Sequence, residues 1–252
     1  MIAEITHQGR VWRIALDRPI DLSIPLDPQG GPRAWYVGPP AFTPVEHGGK
    51  PFSVADGAAV NFRDVRFNPH GNGTHTEGVG HIARLVHPVG SSFQHYWFTA
   101  QLVSVLPEER RTPQGPARVI TMEQLRSTVN DRPPEALVIR TWPNGPEKRS
   151  RDWSDTDPPF VEAGACAWLR SIGVKHLLLD LPSVDRERDE GKLAAHHAFW
   201  GYPRSTDLSR TITEMIYVPD DVRDGEFLLE LQVPHFINDA APSRPVLYAP
   251  LP

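Results

Sequence analysis

Runs of apolar residues, interrupted by prolines and polar turns, divide the chain into predicted strands and helices. Near the N-terminus, two short β-like runs at residues 11–16 and 20–26 flank Asp17-Arg18-Pro19 and predict a hairpin. At residues 121–124, a threonine precedes a glutamine by three positions, which predicts a capping box and a short helix through Val129.

The centre of the chain is predicted to form a strand, a helix and a second strand. The continuous apolar run Ala136–Thr141 is typical of a strand that is covered on both faces. Asp157 and the two prolines after it predict the start of a helix, whose apolar residues recur at helical spacing until Gly173. The apolar run 176–180 follows so closely that the two strands should pair in parallel.

The last third of the chain adds three strand-like runs, at residues 210–218, 227–233 and 244–251. Together with the strand-helix-strand unit, they predict an α/β fold with a mixed parallel and antiparallel sheet and flanking helices. The chain has 252 residues, of which 39% are hydrophobic, and its composition does not shift along its length. We therefore predict a single domain over residues 1–252.

Composition and charge exclude several classes of protein. The formal net charge is −5 and the basic residues are scattered, so we expect no nucleic-acid partner. No segment approaches the ~18 uninterrupted apolar residues of a membrane span, and no apolar targeting segment opens the chain. We therefore expect no membrane partner and a cytoplasmic location. Cys166 is the only cysteine, which excludes a thiolate metal cage within one chain and favours a packing role.

The segment HGNGTHTEGVGH, residues 70–81, contains three of the eleven histidines and one glutamate among glycines. His75 and Glu77 are two positions apart, so in an extended segment both side chains leave the same face, as ligands of one ion must. Imidazole and carboxylate groups are the donors expected for Zn²⁺, Mn²⁺ or Fe²⁺. A polar loop whose histidines hydrogen-bond the backbone is the alternative, but this combination of residues favours a metal.

Further candidate ligands lie in the last third of the chain. Glu214 alternates with apolar residues and therefore points towards a predicted core, where an unpaired carboxylate is prohibitively costly. It should be protonated, paired with Arg or Lys, or bound to the metal. His196 and His197 are neighbours that point in different directions, so only one of them is expected to be a ligand.

These residues resemble a known signature. The segment GTHTEGVGH, residues 73–81, is similar to the HxGTHxDxPxH motif of the cyclase family, which includes bacterial kynurenine formamidases and isatin hydrolases. Other segments follow in the family's order along nearly the whole chain: DLSIPL, VIRT, LLLDLPSVD, AAHHAFW and finally Glu214. The order of the segments and the motif agree with each other.

The resemblance implies a fold, a metal centre and a reaction. The fold is a cyclase-type swivelling β/β/α domain, and the protein is expected to be a homo-oligomer that binds one or two divalent ions, Zn²⁺ or Mn²⁺. The implied metal ligands are His75, Glu77, His196 and Glu214, with His70 as a further candidate. The implied reaction is hydrolysis of a formamide or cyclic amide, a small molecule, with His81 as the catalytic base and acid. A family member that binds a metal or ligand without turnover, and a lactone hydrolase or lyase, are the alternatives.

The chain departs from the family pattern at three places. The family's first histidine stands four residues before the GTH histidine, where this chain has Gly71, and the available imidazole is His70. Either the loop bulges by one residue or one ligand is lost. Glu77 replaces an aspartate and adds a methylene group, and residues 78–80 lack the family's proline. These differences indicate a divergent subgroup.

Aromatic residues near the motifs are candidates for the wall of a pocket that accepts a flat substrate. They are Trp35, Tyr36, Phe199, Trp200 and Tyr202. The competing interpretation is that they are ordinary core or surface residues. Ser183 and Asp185 follow the C-terminal end of a predicted strand, where functional groups are common in α/β sheets, although helix capping would explain them equally well.

Overall fold

The computed structural model describes all 252 residues and contains three α-helices and eighteen strands. The helices are α1 (Met122–Thr128), α2 (Ala163–Ser171) and α3 (Ala194–Trp200). The strands are β1 (Ile2–His7), β2 (Arg10–Ala15), β3 (Ile20–Asp21), β4 (Ala41–Pro44), β5 (Glu46–His47), β6 (Lys50–Pro51), β7 (Arg63–Arg66), β8 (His75–Glu77), β9 (Trp97–Val105), β10 (Glu108–Thr112), β11 (Gly115–Ile120), β12 (Ala136–Thr141), β13 (Phe160–Val161), β14 (His176–Leu179), β15 (Thr211–Glu214), β16 (Gly225–Glu230), β17 (Ala240–Pro242) and β18 (Val246–Tyr248). Short 3₁₀ turns occupy Val54–Asp56, Val79–His81, Val89–Ser92 and Pro146–Arg149.

Nine strands form the main sheet, in the order β17-β8-β15-β14-β12-β9-β16-β18-β3. The four central strands, β15, β14, β12 and β9, are parallel to one another. The strands on both sides of this group pair antiparallel. The predicted mixed sheet is therefore confirmed, and α2 lies in the connection between the parallel strands β12 and β14.

The two faces of the sheet bury different cores. Along β12, Leu137 and Ile139 belong to a core of 23 buried residues that also contains side chains of all three helices. Ala136 and Val138 alternate with them and belong to a second core of 13 buried residues on the opposite face. All six residues of β12 are buried, as the continuous apolar run predicted.

The predicted N-terminal hairpin forms with a different partner. Residues 11–16 were expected to pair with residues 20–26, but β2 pairs with β1 instead. The reason is the turn between β1 and β2, where Gln8 and Gly9 both have positive φ, the conformation that joins tightly paired antiparallel strands. Ile20 and Asp21 instead form β3 and pair with β18 at the edge of the main sheet.

The first predicted helix is confirmed, whereas the second begins later than expected. Thr121 caps α1 as predicted: its side chain accepts from the Gln124 backbone, and the Gln124 side chain accepts from the Thr121 N–H at 3.0 Å. Helix α2 begins at Ala163 and not after Asp157. Two residues of the expected first turn, Phe160 and Val161, instead pair in parallel with β11 and complete a small three-stranded sheet.

The predicted strand around Glu214 is also shorter than expected. Strand β15 ends at Glu214, and Met215 has a φ of 52°, which turns the chain out of the extended conformation. Ile212 therefore lies in the core beneath the helices, whereas Ile216 lies in the core on the opposite face. The uninterrupted alternation expected through residue 218 is wrong beyond Glu214, although Glu214 itself is buried as predicted.

Candidate metal centre

The site begins where β8 lies between β15 and β17. His75 and Glu77 are two residues apart on this three-residue strand, and both are fully buried. His75 pairs with Glu214 of β15 across the sheet, so the register places the late carboxylate beside the GTH histidine. The extended geometry expected for the histidine and glutamate is therefore present, and the sheet delivers a second carboxylate to them.

Three imidazoles and two carboxylates converge at this point. Glu77 is at the centre, with its Oε2 3.0 Å from Nδ1 of His70 and its Oε1 3.0 Å from Nε2 of His196. Nε2 of His75 lies 3.4 Å from Oε2 of Glu214. The structure thus brings together all five residues that the sequence proposed as metal ligands, with their nitrogen and oxygen atoms facing one another.

The second ring nitrogen of each of these imidazoles faces an acceptor outside the cluster. Nδ1 of His75 is 3.2 Å from the carbonyl oxygen of Gly73, and Nδ1 of His196 is 2.6 Å from Oδ2 of Asp185. Nε2 of His70 is 2.8 Å from Oδ2 of Asp239. Metal-binding histidines commonly donate their second N–H to a carbonyl or carboxylate, which fixes the ring and the tautomer. The arrangement leaves one nitrogen of each ring directed at the cluster.

Two buried atoms within the cluster have no hydrogen-bond partner. They are Nε2 of His75 and Oε2 of Glu77, both shielded from water; the 3.0 Å approach of Nδ1 of His70 to Oε2 of Glu77 does not have the alignment of a hydrogen bond. Buried polar atoms without a partner are rare because each costs the free energy of desolvation. A divalent cation satisfies a nitrogen lone pair and a carboxylate oxygen at once, so the residues present fit a metal ion.

Electrostatics in the cluster reflect the crowding of its charges. Burial lowers the pKa of both His70 and His196, but their contacts with acidic partners outweigh burial and raise each pKa to about 10. Burial also acts to raise the pKa of Glu77, yet the surrounding imidazoles hold it well below its ordinary value. For Glu214, burial and then the charge of Glu77 raise the pKa. The acidic partners therefore favour positive charge at His70 and His196, as expected of a site that suits a cation.

His70 reaches the site although its position in the sequence is one residue earlier than in the family motif. A turn places Asn68 so that its side-chain oxygen accepts from the N–H groups of His70 and Gly71. Position 71 cannot hold a side chain, because a Cβ there would lie 2.4 Å from Val37 Cγ2 and 2.9 Å from the carbonyl oxygen of Ala34. The turn excludes a side chain at position 71 and directs the imidazole of His70 into the cluster.

Asp185 organises the other side of the site. Its two carboxylate oxygens accept from the backbone N–H groups of Ala195 and His196, at 2.7 and 3.1 Å, in addition to the ring of His196. Asp185 therefore caps helix α3 and orients the His196 imidazole at the same time, so both interpretations of this residue hold. Beside it, the N–H of Val184 donates to Oε1 of Glu214 at 3.1 Å.

His81 lies at the open side of the cluster. Its side chain is 29% exposed, more than those of His70, His75 or His196. The nearest carboxylate oxygens to its Nδ1 are those of Asp239 at 3.6 Å and Glu77 at 3.8 Å, which exceeds hydrogen-bond distance. The ring is therefore accessible from the cleft that it borders.

Asp239 was missed in the sequence because nothing in its local segment, HFINDA, distinguishes it. It lies next to β17, which pairs with β8 and so carries the carboxylate to His70 and His81. Nitrogen and oxygen atoms of His70, His81 and Asp239 approach one another within 4.8 Å. Only the pairing of these two strands could have revealed it.

The candidate aromatic residues divide into two groups. Trp35 borders a cleft of about 350 Å³ that is also lined by His70, Glu77, His81, His196 and Glu214, whereas His75 is fully buried and does not line it. Tyr36 does not border this cleft; it is largely exposed, with its hydroxyl 3.0 Å from Asp155. Phe199 and Trp200 do not border the cleft, because both are fully buried in the helix-covered core. The pocket contact expected from the sequence is thus corrected for Tyr36, Phe199 and Trp200. Trp200 still packs against the ring of His196, at a centroid distance of 5.3 Å.

The remaining candidates lie at the border of the site or outside it. Ser183 borders the cleft, whereas His197 turns away and places Nδ1 3.1 Å from the carbonyl oxygen of Tyr202. A second cleft, of about 400 Å³, adjoins the first and shares Asp185, Arg186 and Asp189 with it. Cys166 is buried in the core, where burial raises the pKa of its thiol, in agreement with a packing role.

The chain belongs to the cyclase family: the family model described as "Putative cyclase" matches residues 20–186. A predicted metal-dependent hydrolase from Bacillus stearothermophilus has a similar structure, with a TM-score of 0.61 at 15% identity over 92% of this chain and 98% of that one. Isatin hydrolase A from Labrenzia aggregata, bound to benzyl benzoate, has a TM-score of 0.65 at 12% identity over 93% and 94% of the two chains. An isatin hydrolase bound to the product analogue thioisatinate has a TM-score of 0.62 at 10% identity, with 92% of each chain covered.

These similarities establish a cyclase-family fold. No curated protein matches the sequence. The matched region ends at residue 186, so His196, Glu214 and Asp239 lie beyond it; the sequence had suggested the first two, and only the structure adds Asp239. None of the three α-helices is long and apolar enough to cross a membrane.

Proposed function

We propose that this protein is a metal-dependent hydrolase that acts on a formamide or a cyclic amide, with an arylformamide or isatin-like compound as the substrate class. The observation that carries the proposal is the convergence of three imidazoles and two carboxylates in one cluster, each ring held from outside by an acceptor. The proposed ligands are His70, His75, Glu77, His196 and Glu214, and the proposed metal is one or two ions of Zn²⁺ or Mn²⁺.

The similar structures support this class of reaction. Those reported above are described as a metal-dependent hydrolase and as isatin hydrolases, one of them with a product analogue bound. At 10 to 15% identity the names support a hydrolase and leave the substrate to experiment. A homo-oligomer in the cytoplasm remains part of the proposal, and the molar mass in solution tests the oligomeric state.

The proposed reaction gives separate roles to the metal ion, to His81 and to Trp35. A divalent ion held by this donor set acts as a Lewis acid that polarises a carbonyl group and makes water more acidic. His81 is the proposed general base and acid, because its ring is the most exposed of the four histidines and its nitrogen is not held in a short hydrogen bond. Such a base takes a proton from water during attack and returns it to the leaving nitrogen. Trp35, at the border of the cleft, is the proposed contact for a flat substrate.

The test of the proposal combines metal analysis with hydrolysis. Purified protein should contain at least one equivalent of Zn²⁺ or Mn²⁺, and it should hydrolyse N-formylkynurenine or isatin in a reaction that a chelator stops and added metal restores. Bound metal without hydrolysis of any compound in a panel of amides and lactones would instead indicate a family member that binds a metal or ligand without turnover. Absence of stoichiometric metal would contradict the proposal entirely.

A second candidate is a lactone hydrolase or a lyase that uses the same site. The lining of the cleft is compatible with the polar substrates of such enzymes, because the only apolar side chains at the border are Trp35 and Leu193. Charged and polar groups dominate the rest of the lining, so a small polar substrate fits at least as well as a large aromatic one. Faster turnover of lactones than of amides in the same panel would select this candidate.

A further inference from the structure

Asp239 is anchored by the backbone on both sides. The carbonyl oxygen of Asp239 accepts from the N–H of Gly78 at 2.9 Å, and that of Asn238 accepts from Val89 at 2.9 Å. The next residue, Ala240, is opposite Glu77 in the pairing of β17 with β8. The side chain of Asp239 is therefore delivered to the site by main-chain contacts that do not depend on the carboxylate itself.

The carboxylate of Asp239 contacts the imidazole of His70, the one proposed histidine ligand that lies outside a strand or helix. His75 lies on a strand and His196 on a helix, but His70 lies on a turn, and its side chain is 20% exposed. A ring at such a position can rotate unless something holds it. Oδ2 of Asp239 lies 2.8 Å from Nε2 of His70, and the opposite nitrogen, Nδ1, lies 3.0 Å from Glu77.

We propose that Asp239 is a positioning residue for the metal centre: it accepts the Nε2–H of His70 and so directs Nδ1 at Glu77 and the ion. The inference rests on the proposed metal site and adds to it a residue outside both the family match and the predicted ligand set. It also explains how a histidine displaced by one residue still serves the site. The displaced ring has a carboxylate of its own, as His196 has Asp185.

A role as a direct ligand is the competing interpretation. Asp239 is 22% exposed, and its oxygen approaches His70 and His81 closely enough for a shared ion. The contact it makes, however, is with the nitrogen of His70 that faces away from Glu77. A carboxylate on the outer nitrogen restrains the ring and leaves the inner one to the metal.

The experiment compares metal binding by the wild-type protein with that of Asp239→Ala, Asp239→Asn and a control, Asp221→Asn. Asp221 is exposed, so the control changes the net charge equally without touching the site. Zn²⁺ dissociation constants are measured by competition with a chromogenic chelator, and the absorption spectrum of the Co²⁺-loaded protein reports the ligand set. Urea unfolding of the metal-free proteins shows whether each variant folds.

Loss of an outer carboxylate commonly weakens metal binding by about 10- to 100-fold. We therefore expect that loss for Asp239→Ala, with an unchanged stoichiometry and shape of the Co²⁺ spectrum. Asp239→Asn should recover much of the affinity because an amide oxygen can still accept the N–H of His70. The control should bind as the wild type does.

Wild-type affinity in Asp239→Ala would overturn the inference while leaving the proposed function intact. Loss of a bound ion or a changed Co²⁺ spectrum in both Asp239 variants would also overturn it, because Asp239 would then be a ligand. A wild-type protein without stoichiometric metal would remove the proposed function and the inference together.

Discussion

Each imidazole in the cluster has two nitrogens, and the side chain that holds one of them decides what the other can do. In His70, His75 and His196, an oxygen outside the cluster holds one nitrogen and leaves the other to face Glu77 or Glu214. His81 differs, because both nearby carboxylate oxygens are beyond hydrogen-bond distance from its Nδ1. These contacts support the proposed roles, metal binding for His70, His75 and His196 and proton transfer for His81.

Replacing single histidines should separate these roles. His75→Ala should lose the metal, since it removes a fully buried donor that faces Glu214. His81→Ala should keep the metal and lose about 10²- to 10⁴-fold in kcat/KM, the usual contribution of a general acid–base. Metal content and steady-state kinetics measure both effects. Equal metal loss in the two variants would show that His81 is a ligand and not the base.

Gly71 permits the close approach that brings His70 to the site. In Gly71→Ala the new Cβ would collide with Val37 and with the carbonyl oxygen of Ala34, so the turn must move. We expect a loss of stability of about 1–3 kcal/mol, typical of overpacking, together with weaker metal binding. Gly90→Ala is the matched control, because nothing lies within 4 Å of its added Cβ. Similar urea midpoints for the two variants would contradict this account of the turn.

At the scale of elements, a buried ion pair joins the ends of two neighbouring parallel strands. Nζ of Lys148 lies 2.8 Å from Oδ2 of Asp180, and it also donates to the carbonyl and hydroxyl oxygens of Thr141 at the end of β12. Asp180 follows β14 and accepts from the N–H and hydroxyl of Thr141. Since Asp180 leads into residues 183–185, this network supports the loop that carries Asp185.

Removing the lysine should be costly because the aspartate stays buried without a partner. Lys148→Met should destabilise the protein by about 3–5 kcal/mol, as expected for breaking a buried pair. Lys175→Met is the control, since its ion pair with Asp207 has the same 2.8 Å length but is partly exposed, and it should cost at most about 1 kcal/mol. Denaturant unfolding at pH 7 compares the two.

The loss of stability caused by Lys148→Met should depend on pH, and the pKa of Asp180 determines the sign of this dependence. Burial already raises the pKa of Asp180 above its ordinary value, and loss of Lys148 should raise it further. An acid whose pKa is raised in the folded state loses stability as pH increases above its unfolded value, about 3.9. The destabilisation caused by Lys148→Met should therefore be smaller at pH 4 than at pH 7. A difference of the opposite sign would exclude Asp180 as its source.

At the scale of the whole molecule, a metal ion and protons are expected to compete for the imidazoles of His70 and His196. The five proposed ligands come from three separate regions of the chain, residues 70–77, His196 and Glu214, so an ion bound only to the folded state should stabilise the entire fold. At a free concentration 100 times the dissociation constant, the gain is about 2.7 kcal/mol. Chelation should accordingly lower Tm, measured by calorimetry or circular dichroism.

The difference in Tm between the metal-bound and the metal-free protein should widen as pH rises from about 6.5 towards 10. The folded pKa values of His70 and His196 are raised to about 10, above the unfolded value of about 6.5. The protons therefore stabilise the metal-free protein fully below about pH 6.5, and this contribution is lost as pH rises through 10. Metal needs the neutral rings, so its affinity increases over the same range. A constant difference between pH 6.5 and 9 would show that these two rings are not ligands.

Much of the architecture could be predicted from local patterns. The capping box at Thr121 and the buried run of β12 are correct because each depends on residues within one segment. The start of α2 and the partner of β2 were wrong for the opposite reason. Phe160 and Val161 follow a predicted helix start, but they form a strand because they pair with β11.

The sequence by itself determined the kinds of groups in the site and their local spacing. His75 and Glu77 share a face because a strand alternates every two residues, and the motif order indicates the family without any coordinates. Only the tertiary structure decided which groups meet. His196 is 119 residues from Glu77 and Asp239 is 169 residues from His70. Their contacts depend on strand register, on a capped helix and on a turn that excludes a side chain at Gly71, none of which is encoded in one segment.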